Sequence, residues 1–416
     1  MFKNFLTFLL FFLLFIGLVW LEADRALGLY GIILMIYLLI KMSLSFIYKP
    51  FKGTPKQYKV ATIIPSYNED GDGLIGTLES ILAQTYPIDT IYIVDDGSSD
   101  ASGYEKISAY VAANPDTCQN VIVHRLEKNA GKRHAQGWAF KQSDADVFFT
   151  IDSDSYIYPN ALEELLKAFN DPNIYAATGH INARNRDQNF LTRLIDIRYD
   201  NAFRVERAAQ SVTGNILTCS GPLSIYRREV IVPNLYKYLN QSFLGVKVNI
   251  GDDRCLTNYA NRLGRTVYQS TAHCDTEVPD NLKTFIKQQI RWNKSFFRET
   301  LEAIKLGTIR PMVVLWSCIE LTLFILLSYA FFNLLFNNFK VFSPVYLAIV
   351  LVGVILSALA RNIHYALKHP VLFLLAPFYG ILHIFLLQPI RLYALLTIRD
   401  VRWGTRQKTV KKEDAA

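Results

Sequence analysis

Hydrophobic residues along this chain fall into two kinds of pattern. Near the ends they form nearly unbroken runs: Phe5–Leu21, Leu27–Ile47, Met312–Phe336, Val341–Ala360 and Val371–Ile398. A bilayer core of about 30 Å takes about 20 apolar residues as helix, so these runs read as membrane segments. Between them, roughly from Tyr48 to Arg310, the apolar runs are short and β-rich. Val60–Pro65, Thr90–Val94, Val121–His124 and Val147–Ile151 alternate with helical patterns at Gly73–Gln84, Ala101–Ala113 and Lys132–Lys141. Buried strands alternating with helices predict a parallel, doubly wound α/β sheet. Asn160, with Glu163 three residues on and an apolar face of Leu162, Leu165, Leu166 and Phe169, predicts a capping-box helix start.

The net charge of +8 follows the membrane runs rather than a nucleic-acid face. Lys49, Lys52, Lys56 and Lys59 follow the second run, and Arg399, Arg402, Arg406, Lys408, Lys411 and Lys412 follow the last. Cytoplasmic flanks collect Lys and Arg, which places the central block and the tail on the cytoplasmic side of a multi-pass cell-membrane protein. The first run is read as retained, because no small-x-small cleavage site follows it. Two crossings then precede the central block and a pair follows it. A fifth would export the basic tail, so Val371–Ile398, broken by Pro377 and Pro389, is expected to re-enter or lie in the interface. The expected division is 1–48, two membrane helices; 49–280, the catalytic domain; 281–310, an interfacial amphipathic region; 311–361, a helix pair; 362–398, the re-entrant or interfacial part; and 399–416, the tail. Five cysteines show neither metal-ligand spacing nor a paired framework and are expected as free thiols.

Polar clusters end the predicted strands, where doubly wound sheets bind ligands. Tyr67 and Glu69 follow the first, with a ring to stack on a base and a carboxylate to accept from it. Asp95 and Asp96 follow the second and suit a ribose diol or a uracil N–H. Lys132 and Arg133 open a helix after Gly131, as an anion site does. Asp152 and Asp154 follow the fourth strand, spaced to share one hard cation that bridges a diphosphate. Gly251-Asp252-Asp253 offers a general base. Gln288, Arg291 and Trp292 lie on an amphipathic helix, where Arg291 suits a diphosphate and Trp292 a sugar face.

These clusters and their order resemble the processive, membrane-embedded family 2 glycosyltransferases. Ser211–Leu217, Cys219–Leu223, Ile250–Cys255, Gln288–Trp292 and Trp403–Arg406 resemble, more narrowly, bacterial hyaluronan synthases of the Gram-positive capsule type. The resemblance implies a GT-A fold, Rossmann-like, inserted between transmembrane helices. It implies UDP-GlcNAc and UDP-GlcA as donors, a nascent hyaluronan chain as acceptor and product, Mg²⁺ or Mn²⁺ as cofactor, membrane lipids as surroundings, and a functional monomer with no obligate protein partner and no nucleic acid. Carried onto this chain, Tyr67, Glu69, Asp96 and Lys132, with Asp95 and Arg133 beside them, would hold the nucleotide. Asp152 and Asp154 would bind the metal. Asp253 would be the base, with Asp252 its neighbour where cellulose-synthase-like relatives usually carry Glu. Arg291 would contact the diphosphate, and Gln288 and Trp292 the acceptor. Cys219, Ser220, Gly221 and Pro222 would form an acceptor-facing loop, and Trp403, Gly404, Thr405 and Arg406 would close over bound nucleotide. Lys41, Glu320, Arg361, His364, His383, Gln388 and Arg391, polar within membrane runs, are candidates of which some are expected to line an export channel; for Lys41 and Arg391 the alternative is snorkelling to the interface. A synthase of chitin-like or poly-N-acetylglucosamine chains is the alternative within the same family.

Overall fold

The structure, a computed structural model, describes residues 26–336 and 344–400. The first apolar run and the Trp403–Arg406 segment lie outside those residues. A sheet of eight strands organises the central block. Its strands are β1 (Val60–Ser66), β2 (Thr90–Asp95), β3 (Val121–Arg125), β4 (Val147–Thr150), β5 (Ser155–Ile157), β6 (Ile174–Ala183), β7 (Ser224–Arg227) and β10 (Arg265–Thr276), in the order β3-β2-β1-β4-β7-β6-β10-β5. A separate two-stranded hairpin, β8 (Ser242–Phe243) with β9 (Val246–Lys247), precedes the Gly251 loop.

The predicted half is parallel: β1 pairs with β2 and β4, and β2 with β3. β1 and β4 are buried along their whole length, as strands covered on both faces must be. The other half corrects the all-parallel expectation. β7 runs antiparallel between β4 and β6, and β5 runs antiparallel to the end of β10. β6 and β10, parallel to each other, carry the sheet past the level at which β4 stops: Thr178 stands level with Thr150 through Ser224, and β6 continues to Ala183.

Helices α1 (Ala26–Ile47), α2 (Gly71–Leu82), α3 (Ser102–Ala113), α4 (Lys132–Gln142) and α5 (Ala161–Lys167) come next to be named. The last four cover the sheet, burying Leu74, Leu78, Ile81, Ile107, Phe140, Leu162 and Leu165 against Ile63, Ile93, Phe148 and Phe149. The capping box at Asn160 does not form. The Asn160 side chain caps nothing, and Glu163 instead accepts from Thr85 Oγ1 at 2.8 Å. A tertiary partner has taken the side chain that the local motif needs.

Beyond the sheet lie α6 (Phe190–Asn201), α7 (Asp252–Leu263), α8 (Leu282–Ile304), α9 (Pro311–Phe336), α10 (Pro344–Arg361) and α11 (Gln388–Leu396). Among the described residues two stretches, Pro311–Phe332 and Pro370–Leu396, are long and apolar enough to cross a bilayer; Ile32–Ile47 and Leu351–Arg361 are shorter apolar helices. The prolines of the last run do not stop it. Pro377 and Pro389 each sit in the first turn of a segment, and a wide turn at His383–Leu387 precedes the second, absorbing the hydrogen bond that proline cannot donate. Several polar residues of these runs face packed neighbours. Lys41 Nζ lies 4.5 Å from the Trp316 ring and 5.1 Å from Tyr37, Gln388 donates to Ser328 Oγ at 2.6 Å, and His364 Nε2 lies 3.1 Å from Ser45 Oγ.

Candidate active site

Hydrogen bonds and ion pairs join the predicted clusters one to the next. The loop after β1 is held against the loop after β2, where Asn68 N–H donates to Ser98 Oγ at 2.8 Å. It is held against the loop after β4, where Ser153 Oγ donates to Glu69 at 2.6 Å. Tyr67 and Glu69 are half-buried there. The two aspartates after β2 part company. Asp95 accepts from Ser98 and pairs with Arg125 at 3.2 Å, so it fixes its own loop. Asp96 accepts from the amides of Ala130, at 2.9 Å, and Gly131, at 2.8 Å, just before α4. Burial lifts its pKa to about 6 against the pull of those amides.

Lys132 joins two acidic clusters that lie 100 residues apart. Its ammonium is 2.6 Å from Asp152 Oδ1 and 2.8 Å from Asp252 Oδ2. Burial works against this charge, but the two carboxylates outweigh it and hold the lysine pKa above its ordinary value. Burial likewise opposes ionisation of Asp252, yet Lys132 keeps that carboxyl below the usual range. Asp253 is different. Burial, with the Asp252 charge beside it, lifts it to about 6. Arg133, one residue past Lys132, faces another way. It is 1 % exposed and donates to Tyr238 O, Gln241 Oε1, Ile250 O and Gly251 O at 2.6–3.2 Å. In this structure it holds the Gly251 loop.

The loop expected to face the acceptor touches the same centre. The Cys219 side chain is buried, its thiol pushed up to about 12 by burial. Ser220 Oγ accepts from Arg207 at 2.7 Å. Gly221 and Pro222 are half-buried, and a Cβ on Gly221 would stand 2.8 Å from Asp152 Oδ2; only glycine lets this loop come so close.

The α8 helix closes the remaining side. Gly251 has φ +77° and abuts Ser295 and Arg298; Arg298 donates to Ile250 O and pairs with the buried Glu299 at 2.9 Å. Ser295 and Arg298 fall four and seven residues after Arg291, so helical spacing alone could have put them on one face with it. Gln288 and Arg291 are half-buried, and Trp292 is 42 % exposed, a free platform. Lys294 donates to Asp400 O at 2.7 Å, which ties α8 to the end of the described residues. Tyr199 of α6 is a neighbour of the acidic cluster that the sequence did not signal: burial, then the Asp154 charge, raises its pKa.

Among the described residues no group of three or more His, Cys, Asp or Glu side chains converges as a metal cage. Asp152 and Asp154 supply two carboxylates, a set that suits a hard cation whose other ligands come from a diphosphate and water. A cation already sits against Asp152 in the form of Lys132. The cysteines are free, as expected.

Residues 61–232 match the model of the glycosyl transferase family 2 and residues 147–387 that of the glycosyl transferase family group 2. A hyaluronan synthase of Streptococcus pyogenes serotype M6 is 61 % identical over 401 residues, 96 % of either chain. That of serotype M3 is 63 % identical over 381 residues, 92 % of this chain and 91 % of the other. An N-acetylglucosaminyltransferase of Azorhizobium caulinodans is 34 % identical over 360 residues, 85 % of this chain and 89 % of the other. The fold is similar to that of a mannosyltransferase from Pyrobaculum calidifontis solved in complex with GDP-Man and Mn²⁺, with TM-score 0.65 and 19 % identity, covering 90 % of this chain and 97 % of that one.

Proposed function

This chain is a glycosyltransferase of family 2 that belongs with the hyaluronan synthases, and on that premise we propose that it transfers GlcNAc and GlcA from UDP-GlcNAc and UDP-GlcA, with inversion, onto a growing β-linked polysaccharide and passes the product through the membrane. The observation that supports the reading is the Lys132 bridge, whose ammonium lies 2.6 Å from Asp152 and 2.8 Å from Asp252.

Tyr67, Glu69 and Asp96 hold the uridine. Asp152 and Asp154 hold Mg²⁺ or Mn²⁺, which when bound neutralises charge on the departing diphosphate. Lys132 and Arg291 add cationic donors to the same diphosphate. Asp253 takes the proton of the acceptor hydroxyl. Its neighbour is unsuited to that task, since Lys132 keeps Asp252 ionised and engaged, whereas a carboxyl near 6 accepts a proton at neutral pH and can give it up again. Trp292 stacks the acceptor ring and Gly221 and Pro222 border it; Trp403–Arg406, which lie outside the described residues, would close over bound nucleotide.

Helices α1, α9, α10 and the 370–396 stretch surround the export path in the cell membrane, with the catalytic domain and basic tail in the cytoplasm. Labelling of a cysteine placed in the tail from outside intact cells would contradict that topology.

The 34 % identity to an N-acetylglucosaminyltransferase favours a second reading, a homopolymer of GlcNAc. Purified enzyme supplied with both labelled donors separates the two. Polymer that requires both sugars and is cut by a hyaluronan-specific lyase supports the first; polymer from UDP-GlcNAc alone supports the second.

A further inference from the structure

We propose that Arg254 and Arg391 form a carboxylate-binding subsite that grips the uronate units of the growing chain at the junction of the catalytic domain with the membrane helices. This inference rests on the reading of the product as a polymer containing GlcA.

Arg254 directly follows Asp253 in the first turn of α7, and Arg391 lies on α11. The sequence places them far apart, yet both guanidinium groups stack on one ring. Arg254 Cζ is 5.3 Å from the Phe296 centroid and Arg391 Cζ is 5.2 Å from it, with Phe324 4.8 Å from Arg391. Two cations sharing a ring repel each other, and a half-buried setting screens that repulsion poorly. An anion between them would be the ordinary remedy. Among the described residues none supplies it: neither arginine makes an ion pair with a carboxylate, and Arg391 Nε is buried without a hydrogen-bond partner. Asp253 is next in sequence to Arg254 without pairing with its guanidinium. Glu320, whose charge reaches Arg391, forms no ion pair with it either.

The location is suited to the polymer. Phe296 stands four residues after Trp292 on α8, on the same face and about 6 Å further along the helix. A chain whose end sugar lies on Trp292 and that runs along α8 toward the membrane helices would reach the surroundings of Phe296 and the two guanidinium groups. Around it, Phe296, Phe297 and Phe324 pack with Leu321, Leu392 and Ile398, where α8, α9 and α11 meet. Guanidinium binds carboxylate with two parallel hydrogen bonds. In an alternating copolymer the carboxylate stands on the end sugar after one transfer and on the next sugar after the other. Two arginines rather than one keep a carboxylate engaged in either register, which gives the site a means of telling this chain from an uncharged homopolymer.

The test compares two ligands, a hyaluronan oligosaccharide and the same oligosaccharide with its carboxylates reduced to alcohols, binding to full-length detergent-purified enzyme with UDP present. We expect the charged form to bind at least about tenfold more tightly, as one charge-assisted hydrogen bond or more would give, and to lose that advantage at high salt. Arg254→Gln with Arg391→Gln should erase the preference, the double Lys variant should restore part of it, and UDP affinity should stay within about twofold throughout. Equal binding of the two ligands by the unaltered enzyme overturns the subsite, as does a full preference in the Gln variant. Should the Gln variant fail to bind UDP, the unaltered enzyme's own preference still decides. Lyase digestion of product made from both donors keeps the two ideas apart: copolymer without ligand preference sinks the subsite alone, and absence of GlcA from the product sinks the reading beneath it.

Discussion

Acidification should switch this enzyme off through Asp253. The base must be ionised to accept the acceptor's proton, and its pKa stands at about 6, lifted by burial and by the Asp252 charge. At that value Asp253 is about nine-tenths ionised at pH 7 and about one-tenth at pH 5. At the ordinary value of 3.8 it would still be about nine-tenths ionised at pH 5. The structure thus predicts a fall in kcat of about tenfold between pH 7 and pH 5, where an unperturbed aspartate predicts almost none. Asp96 titrates in the same range, but under the proposed function it holds nucleotide, so its protonation should raise KM and disappear from kcat at saturating donors. The assay is UDP release at saturating UDP-GlcNAc and UDP-GlcA from pH 5 to 8. Asp252→Asn then removes the negative neighbour and leaves the Lys132 charge freer to act on Asp253. Both changes lower its pKa, so the acid limb should move down by on the order of one pH unit. A kcat that stays flat from pH 7 to pH 5, or a limb unmoved in Asp252→Asn, refutes the assignment.

Four further outcomes are expected. Asp253→Asn should abolish polymer synthesis, a loss of at least about 10²-fold, while UDP still binds by calorimetry; synthesis at near the original rate would remove Asp253 as base. Asp154→Asn should weaken UDP binding in Mn²⁺ but leave the metal-free affinity unchanged, and calorimetry with and without Mn²⁺ reads the difference. Gly221→Ala sets a methyl 2.8 Å from Asp152 Oδ2 and should cut metal-dependent UDP affinity by about tenfold with little change in Tm. Gly251→Ala demands φ near +77° of a residue whose Cβ would overlap Ser295 Oγ, so it should destabilise the domain by about 1–3 kcal/mol, visible as a lower Tm.

Most strands that could be read in advance are buried on both faces, since an uninterrupted apolar run is its own signal. β1, β2 and β4 are of this kind, and the carboxylates after them fell where strand ends predict. β3, also read in advance, is a more exposed run at the sheet edge. β6 and β10 escaped because His180, Asn182, His273 and Asp275 interleave polar side chains with the apolar ones. Within the site, residue type was legible but direction was not. Lys132 and Arg133 are adjacent and both cationic; about 100° of helical turn between them sends one to the acids and the other under the carbonyls of Ile250 and Gly251. Asp95 and Asp96 divide in the same way, because neighbours at a strand end point to opposite sides. The Asn160 motif was locally sound and lost its acid to Thr85, a contact no window of a few residues contains.

The ammonium wedged between Asp152 and Asp252 has one more consequence. Carboxylates crowded into a cleft would otherwise push one another apart, and here a tethered positive charge keeps them together at rest. The protein's own charge thus holds the acidic groups at close quarters. In the proposed mechanism Asp152 and Asp154 would hold a divalent cation beside that ammonium, whose charge would offset that of the departing diphosphate.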